Sequence, residues 1–267
     1  MYYDYHMHSS FSHDSETSMN SMIKKSIELG LKEICFTEHV DYGVIINGEE
    51  KNITIDYNDY FSKLDYFKKI NKEYISIKKG VEIGLQEHVI DKCINDVKNN
   101  DFDFVIASVH SINKYELIKK MFYKDKNYFD AYKMYYKTLY KMLTMFKEYC
   151  IVGHLDLIKR YVKVENITYD EEFSYIIDEI LKLIISDGKG IEINTSCFRY
   201  NLSDFTPSTY ILKRYKELGG VIITTGSDSH RTDQIAYGFK NIYEALKNMG
   251  YKYICTFEKR KPTFINI

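Results

Sequence analysis

The sequence predicts an α/β chain whose parallel strands close into a barrel, and three observations carry that expectation. Short β-branched runs alternate with longer amphipathic runs, seven times over, which is the pattern of parallel β-α units. The 267 residues suit one large domain or two small ones, and two Pro and thirteen Gly leave little room for an interdomain linker. Residues 1–267 are therefore read as a single barrel domain. Finally, seven of the eight histidines fall at a strand end or just beyond one, and in a parallel barrel all C-terminal strand ends share one rim.

The strands are expected at Tyr2–His8, Glu33–Thr37, Ser76–Glu82, Phe104–Ser108, Ile151–His154, Gly190–Asn194 and Val221–Thr225. Between them the helices carry end signals. Ser18 can cap a helix that Gly30 ends, and Gly188 closes one that starts near Asp170. From Asn127 to Tyr149, residues Tyr132, Tyr135, Leu139, Met142, Phe146 and Tyr149 recur at spacings of three and four, a core-facing helical stripe. The segment Tyr251–Ile267, with Lys259-Arg260-Lys261-Pro262, reads as a final strand and a short extended tail.

The first strand organises the rest. Its residues repeat every two, so His6 and His8 point to one side, roughly 7 Å apart at about 3.3 Å of rise per residue. His13 follows in the next loop. Thr37-Glu38-His39 ends the second strand and Glu82 the third. His110, His154 and the run Gly226-Ser227-Asp228-Ser229-His230 follow the fourth, fifth and seventh. A lone His is more often a packed or solvated residue than a ligand, and a lone H-x-H is weak. Seven that point to one rim are a different matter. His88 is the exception: it follows Gly84-Leu85-Gln86-Glu87, where a helix begins, and is read as a non-ligand.

Imidazole and carboxylate without thiolate suit Zn, Mn or Fe at a catalytic site and argue against a structural zinc. Seven His and at least two acids exceed the needs of one ion, so two or three ions with a bridging carboxylate are expected. Cations ~3.5–4 Å apart can stabilise both the attacking and the departing oxygen of a phosphoryl group.

Bulk properties narrow the partners. Lys+Arg number 37 and Asp+Glu 38, so there is no basic stripe for nucleic acid and no acidic tail. Five scattered Cys without a C-x-x-C pair, and no signal-peptide pattern, indicate reduced thiols in the cytoplasm. No apolar run approaches a membrane span.

Taken in order, His6-Met7-His8, Ser12-His13-Asp14, Thr37-Glu38-His39, Gly80-Val81-Glu82, Ser108-Val109-His110, Gly153-His154-Leu155-Asp156 and Ser227-Asp228-Ser229-His230 resemble the motifs of the polymerase-and-histidinol-phosphatase (PHP) family. The resemblance runs from residue 6 to residue 230. It implies a distorted (βα)7 TIM-like barrel with a trinuclear metal centre at the C-terminal rim of the strands. Carried over position by position, it implies a first metal held by His6, His8, Glu82 and Asp228. Glu82 would bridge to a second metal with His110 and His154, and a third would take His13, His39 and His230.

Within the family, the length, the lack of an extra domain and the loop sequences are similar to the stand-alone histidinol-phosphate phosphatases. That implies hydrolysis of L-histidinol phosphate to L-histidinol and phosphate, a step of histidine biosynthesis. Two arginines favour a phosphate ester. Arg160, beyond the fifth strand, and Arg199, beyond the sixth, are expected on the active rim, where a guanidinium grips phosphate through two parallel hydrogen bonds.

The expected nucleophile is hydroxide bridging two of the metals, with no protein nucleophile. Asp41 and Asp14 are the candidates for protonating the leaving oxygen, or for orienting a ligand imidazole as Asp156 and Glu38 could. For the substrate's ammonium and ring, Asp41, Tyr42, Tyr161 and Tyr200 lie in suitable loops. The competing readings are a PHP phosphoesterase acting on another small ester, a nucleotide or a nucleic-acid end, a metal-dependent amidohydrolase, and a non-catalytic regulator. A nuclease would want a basic track, and an amidohydrolase would not explain Thr37-Glu38-His39 or the two arginines.

Overall fold

The computed structural model describes residues 1–119, 121–162 and 169–267. In chain order the elements are β1 (Tyr3–Met7), α1 (Met19–Glu28), β2 (Glu33–Ile46), β3 (Glu49–Ile53), α2 (Tyr57–Asn71), β4 (Ser76–Gly84), α3 (Ile90–Asn99) and β5 (Phe104–Ser108). There follow β6 (Ser111–Ile112), β7 (Tyr115–Glu116), α4 (Tyr128–Met145), β8 (Ile151–Val152), α5 (Tyr169–Glu172), α6 (Ser174–Ser186) and β9 (Gly190–Asn194). The chain ends with α7 (Ser196–Arg199), α8 (Thr209–Glu217), β10 (Ile223–Gly226), α9 (Phe239–Asn248), β11 (Tyr253–Glu258) and β12 (Lys261–Asn266).

Seven strands run parallel in the order β1-β2-β4-β5-β8-β9-β10. Their two edges face each other and nearly close the barrel. Across that seam Asp228 N–H donates to the His6 carbonyl at 2.7 Å and His8 N–H to the Ser229 carbonyl at 2.8 Å. The Thr225 hydroxyl donates to the Tyr3 carbonyl at 2.6 Å. Asp4, fully buried there, accepts from the Ser227 N–H and hydroxyl.

Local chemistry sets most helix ends. Ser18 accepts from the Ser21 N–H at the start of α1, and Gly30 leaves it at φ 72°. Asn127 caps α4, whose buried face carries Tyr132, Tyr135, Leu139 and Met142 against α6. Phe146 and Tyr149 continue that buried stripe beyond the helix end.

Four elements depart from expectation. The second strand runs on to Ile46, because β3 folds back antiparallel on it. The turn is Asn47-Gly48, both at positive φ, the chemistry of a tight hairpin. Strand β8 stops at Val152, since His154 sits at φ 25°, outside strand geometry. The helix expected from near Asp170 is two pieces, α5 and α6, broken at Phe173. The tail is no extended end. β12 pairs along β11 from Tyr253↔Asn266 to Glu258↔Lys261, about a turn whose Lys259 and Arg260 are at positive φ. This hairpin covers the N-terminal mouth of the barrel. Phe257 N–H donates to the Tyr5 hydroxyl at 2.7 Å, the Phe257 and Phe104 rings lie 4.9 Å apart, and Asp103 accepts from Lys259 N–H. Among the described residues no helix is long and apolar enough to cross a membrane.

Candidate metal centre

The parallel register gathers the polar strand ends at the opposite rim. His6 on β1 and His8 just beyond its end, both fully buried, have ring centroids 5.2 Å apart. His39 on β2 and Glu82 on β4 are register partners, so their side chains leave the sheet on the same side. Nδ1 of His39 lies 3.1 Å from Oε2 of Glu82. The same oxygen is 3.1 Å from Nε2 of His6. The other, Oε1, is 3.1 Å from Nε2 of His110 and 2.9 Å from Nε2 of His154. Asp228, at φ 53° after β10, puts Oδ1 at 3.7 Å from His6 Nε2 and 3.6 Å from His8 Nε2. His230 stacks on His8 with centroids 4.2 Å apart.

The fold thus brings together His6, His8, His39, Glu82, His110, His154, Asp228 and His230. Among the described residues these donors form overlapping groups whose ligand atoms lie within 4.8 Å of one another: His6, His8 and Asp228; His6, Glu82 and His154; His8, His39 and His230; His39, Asp41 and His110. His13 belongs to none of these groups. It stands half-exposed on the same cavity, its ring 5.8 Å from that of His39 and its Nδ1 3.9 Å from Asp14. Asp14 reaches further in, with Oδ2 at 3.2 Å from His230 Nε2 and 3.6 Å from His39 Nε2. His88 is away from the centre, beneath Gly43 and 4.0 Å from Glu50.

Charge is balanced within the cluster. Burial alone would raise the Glu82 carboxyl, but the imidazoles of His6, His110 and His39 outweigh it and hold it well below its ordinary value. Burial likewise opposes ionisation of Asp228, and the neighbouring imidazoles of His8 and His6 and the Arg160 guanidinium overcome it. His8 is pushed well down by burial and by its neighbours His39 and His230, which leaves it the neutral imidazole a cation needs. His39 is raised to about 9, burial being outweighed by the Glu82 carboxylate.

The donors fit a metal. His6 Nε2, His8 Nε2, His39 Nδ1, His230 Nε2 and Glu82 Oε2 are buried without a hydrogen-bond partner of proper geometry, though they converge. Buried polar atoms are normally paired. A set left unpaired and aimed at common points is what nitrogen and oxygen ligands for a divalent cation look like.

The supporting contacts come from β2, β4 and β9 and from the loop after β1. Asp41 accepts from His110 Nδ1 at 3.0 Å, and Gly84 makes room for it, since a Cβ there would come within 1.8 Å of Asp41 Oδ1. Ser12 Oγ lies 3.1 Å from His8 Nδ1 and donates to Glu38, which also accepts from Ser9. Glu38 therefore acts on His8 through Ser12. Asp156 orients no imidazole: it pairs with Lys159 at 2.6 Å and accepts from Ser208 N–H. Tyr42 turns away from the cavity and donates to Asp96. The residue that sequence reading missed is Glu192, whose Oε1 lies 2.7 Å from His6 Nδ1. Its signal was an acid between the two isoleucines of the buried strand Gly190-Ile191-Glu192-Ile193-Asn194.

Above the centre lies a cavity of about 430 Å³, the size of a small-molecule site. Arg160, Arg199, Tyr161, Tyr200, Val44, Ile53 and Glu116 are among the residues that line it. Arg160 stacks on the Tyr200 ring at 4.2 Å, and its Nη2 is 3.3 Å from Asp228 Oδ2. Arg199 donates to the carbonyls of Ser227 and Asp228, each at 2.7 Å.

The family model described as "PHP domain" matches residues 4–196. A protein of Clostridium acetobutylicum named "Probable histidinol-phosphatase" is 36% identical over 267 residues, covering 97% of this chain and 98% of the relative. The "Histidinol-phosphatase" of Lactococcus lactis subsp. lactis is 32% identical over 97% of this chain and 95% of the relative. The crystal structure of histidinol phosphate phosphatase from that organism, complexed with zinc, L-histidinol and phosphate, superposes with a TM-score of 0.89 at 32% identity over 98% of both chains. A structure from Listeria monocytogenes, 17% identical with a TM-score of 0.73 over 90% of this chain and 99% of that one, shares the fold.

Proposed function

The chain belongs to the PHP-domain family, and from that premise we propose that it is a phosphoric monoester hydrolase that converts L-histidinol phosphate to L-histidinol and phosphate. The observation that carries this is the convergence of eight imidazole and carboxylate side chains beneath a cavity lined by two arginines. Full-length relatives at 32% and 36% identity named as histidinol-phosphatases support the substrate.

We read the centre as holding three divalent ions, Zn, Mn or Fe. His6, His8, Glu82 and Asp228 would hold the first, Glu82 with His110 and His154 the second, and His39, His230 and His13 the third. Such ions, when bound, supply an acidified water and a counter-charge for phosphate. The chain's own side chains do the rest. Arg160 and Arg199 bind and orient the phosphate at the rim, next to Asp228. Asp41 fixes the ring of His110. Asp14 is held well below its ordinary value, burial being outweighed by the His230 imidazole 3.2 Å away and by the His39 charge, so it is a poor proton donor near neutrality. Val44, Ile53 and Glu116, which line the same cavity, would be available to the remainder of the ester.

The chain is read as one unit, residues 1–267, acting on a small-molecule phosphate ester with no nucleic-acid or membrane partner. Five unpaired, buried cysteines support a reducing compartment, the cytoplasm. The test is a substrate panel. A kcat/KM for L-histidinol phosphate at least about a hundredfold above generic phosphomonoesters and phosphodiesters is expected, about 2.7 kcal/mol of discrimination. Preference for a nucleotide or a diester would overturn the substrate while leaving the family intact.

A further inference from the structure

Strand β9 supplies none of the expected metal ligands, yet its end is polar. Glu192 and Asn194 share one face of the strand, and Ser196 opens α7 directly beyond it. All three are buried, none more than 1% exposed. Buried polar groups need partners, and here the partners form a single chain of bonds.

The Glu192 carboxylate accepts from His6 Nδ1 at 2.7 Å, from the His154 backbone N–H at 3.0 Å and from Asn194 Nδ2 at 3.0 Å. With its amide nitrogen committed, Asn194 turns its oxygen the other way. That oxygen accepts from the Ser196 N–H at 2.9 Å and from the Ser196 hydroxyl. The Ser196 hydrogen is then used, so its Oγ accepts, and the donor is Arg160 Nη2. The same Nη2 lies 3.3 Å from Asp228 Oδ2, and Asp228 Oδ1 lies 3.7 Å from His6 Nε2. The path that leaves His6 on its Nδ1 side returns on its Nε2 side.

We propose that Glu192, Asn194 and Ser196 are positioning residues forming one directional relay, which turns His6 Nε2 toward the metal at one end and aims the Arg160 guanidinium at the phosphate at the other. This rests on the proposed roles of His6 and Arg160. The direction of each bond is fixed by chemistry. A guanidinium only donates and a carboxylate only accepts. Reversing the Asn194 amide would set its oxygen against the Glu192 carboxylate and its NH2 against the Ser196 N–H. His6 therefore carries its proton on Nδ1 and presents a lone pair at Nε2, as a histidine ligand held by a carboxylate does.

The experiment uses the full chain loaded with zinc. Glu192→Gln and Ser196→Ala are compared with His6→Gln and Arg160→Met. The readouts are zinc affinity by chelator competition, inhibition by inorganic phosphate, KM and kcat separately, and melting temperature. Glu192→Gln is expected to weaken zinc about 10–100-fold. Ser196→Ala is expected to leave zinc affinity unchanged and weaken phosphate about tenfold, the loss of one hydrogen bond to a charged group, with KM carrying more of the loss than kcat. If His6→Gln keeps wild-type zinc affinity, or Arg160→Met keeps wild-type phosphate inhibition, the site reading itself is wrong and the relay falls with it. If those two respond while Glu192→Gln and Ser196→Ala match wild type on both readouts, the relay alone is overturned. Should Glu192→Gln fail to fold, Ser196→Ala decides: unchanged phosphate inhibition overturns the proposal.

Discussion

Oε1 of Glu82 lies 2.9 Å from Nε2 of His154, a contact between β4 and the turn after β8. Its other oxygen faces His6 at 3.1 Å. One carboxylate thus stands between imidazoles from separate elements, as the proposed bridging role requires. Glu82→Gln keeps the shape and removes the charge. It is expected to cost at least one bound metal per chain and to lower kcat/KM by at least ~100-fold, more than loss of a supporting contact would. Metal analysis beside phosphate release checks this; full metal content in the variant would contradict it.

Arg199 has two tasks. It holds the carbonyls of Ser227 and Asp228 while lining the cavity. A lysine is a point donor and cannot reproduce the fork. Arg199→Lys is therefore expected to raise KM about tenfold or more and also to lower the stability of the metal-free protein by on the order of 2 kcal/mol. Denaturant unfolding and steady-state kinetics measure the two effects. A change in KM with wild-type stability would mean that the backbone contacts contribute nothing.

Gly226 ends β10 where three residues crowd. A Cβ there would meet Glu192 Oε1 at 2.1 Å and His6 Cβ at 2.4 Å. Neither can retreat in a packed barrel, so Gly226→Ala is expected to destabilise by about 1–3 kcal/mol and to reduce bound metal. Thermal unfolding and metal content test it; a variant with wild-type values in both would show that Glu192 has room to move.

Asp4, buried in the seam between β1 and β10, has its carboxyl pushed up to about 6 by burial, against the hydrogen bonds from Ser227. The folded chain keeps this proton where the unfolded chain, with an ordinary value of 3.8, has lost it. Stability from this group is fully present below about pH 4 and falls as pH rises toward 6. A shift of about two pH units is worth about 3 kcal/mol. Asp4→Asn removes the dependence. In metal-free protein the unfolding free energy of the variant, relative to wild type, is expected to rise by on the order of 2–3 kcal/mol between about pH 4 and about pH 6.5. A difference that stays flat would contradict the burial argument.

Much of the centre was legible because a strand repeats every two residues and a parallel barrel puts all C-terminal strand ends on one rim. His6 with His8, and Glu82 at the end of β4, needed no more than that. His13 was read with the rest from its motif, and its loop sets it half-exposed on the cavity, its ring 5.8 Å from that of His39, with Asp14 turned inward beside it; loop direction has no period to read. Glu192 escaped because its meaning lies in what it touches across the barrel, not in its spacing. The β2–β3 ribbon carried its own signal in Asn47-Gly48. The pairing of β12 back onto β11 did too, but the Lys259-Arg260 turn takes positive φ without glycine, which sequence rules rarely anticipate.

The most direct test of the account is phosphate release from L-histidinol phosphate by the full chain, with metal counted in the same preparation before and after chelation. Hydrolysis is expected to fall to background as the metal is removed, to return when Zn or Mn is restored, and to track a content close to three ions per chain. Undiminished hydrolysis after the metal has gone, or no hydrolysis with the metal in place, would contradict it.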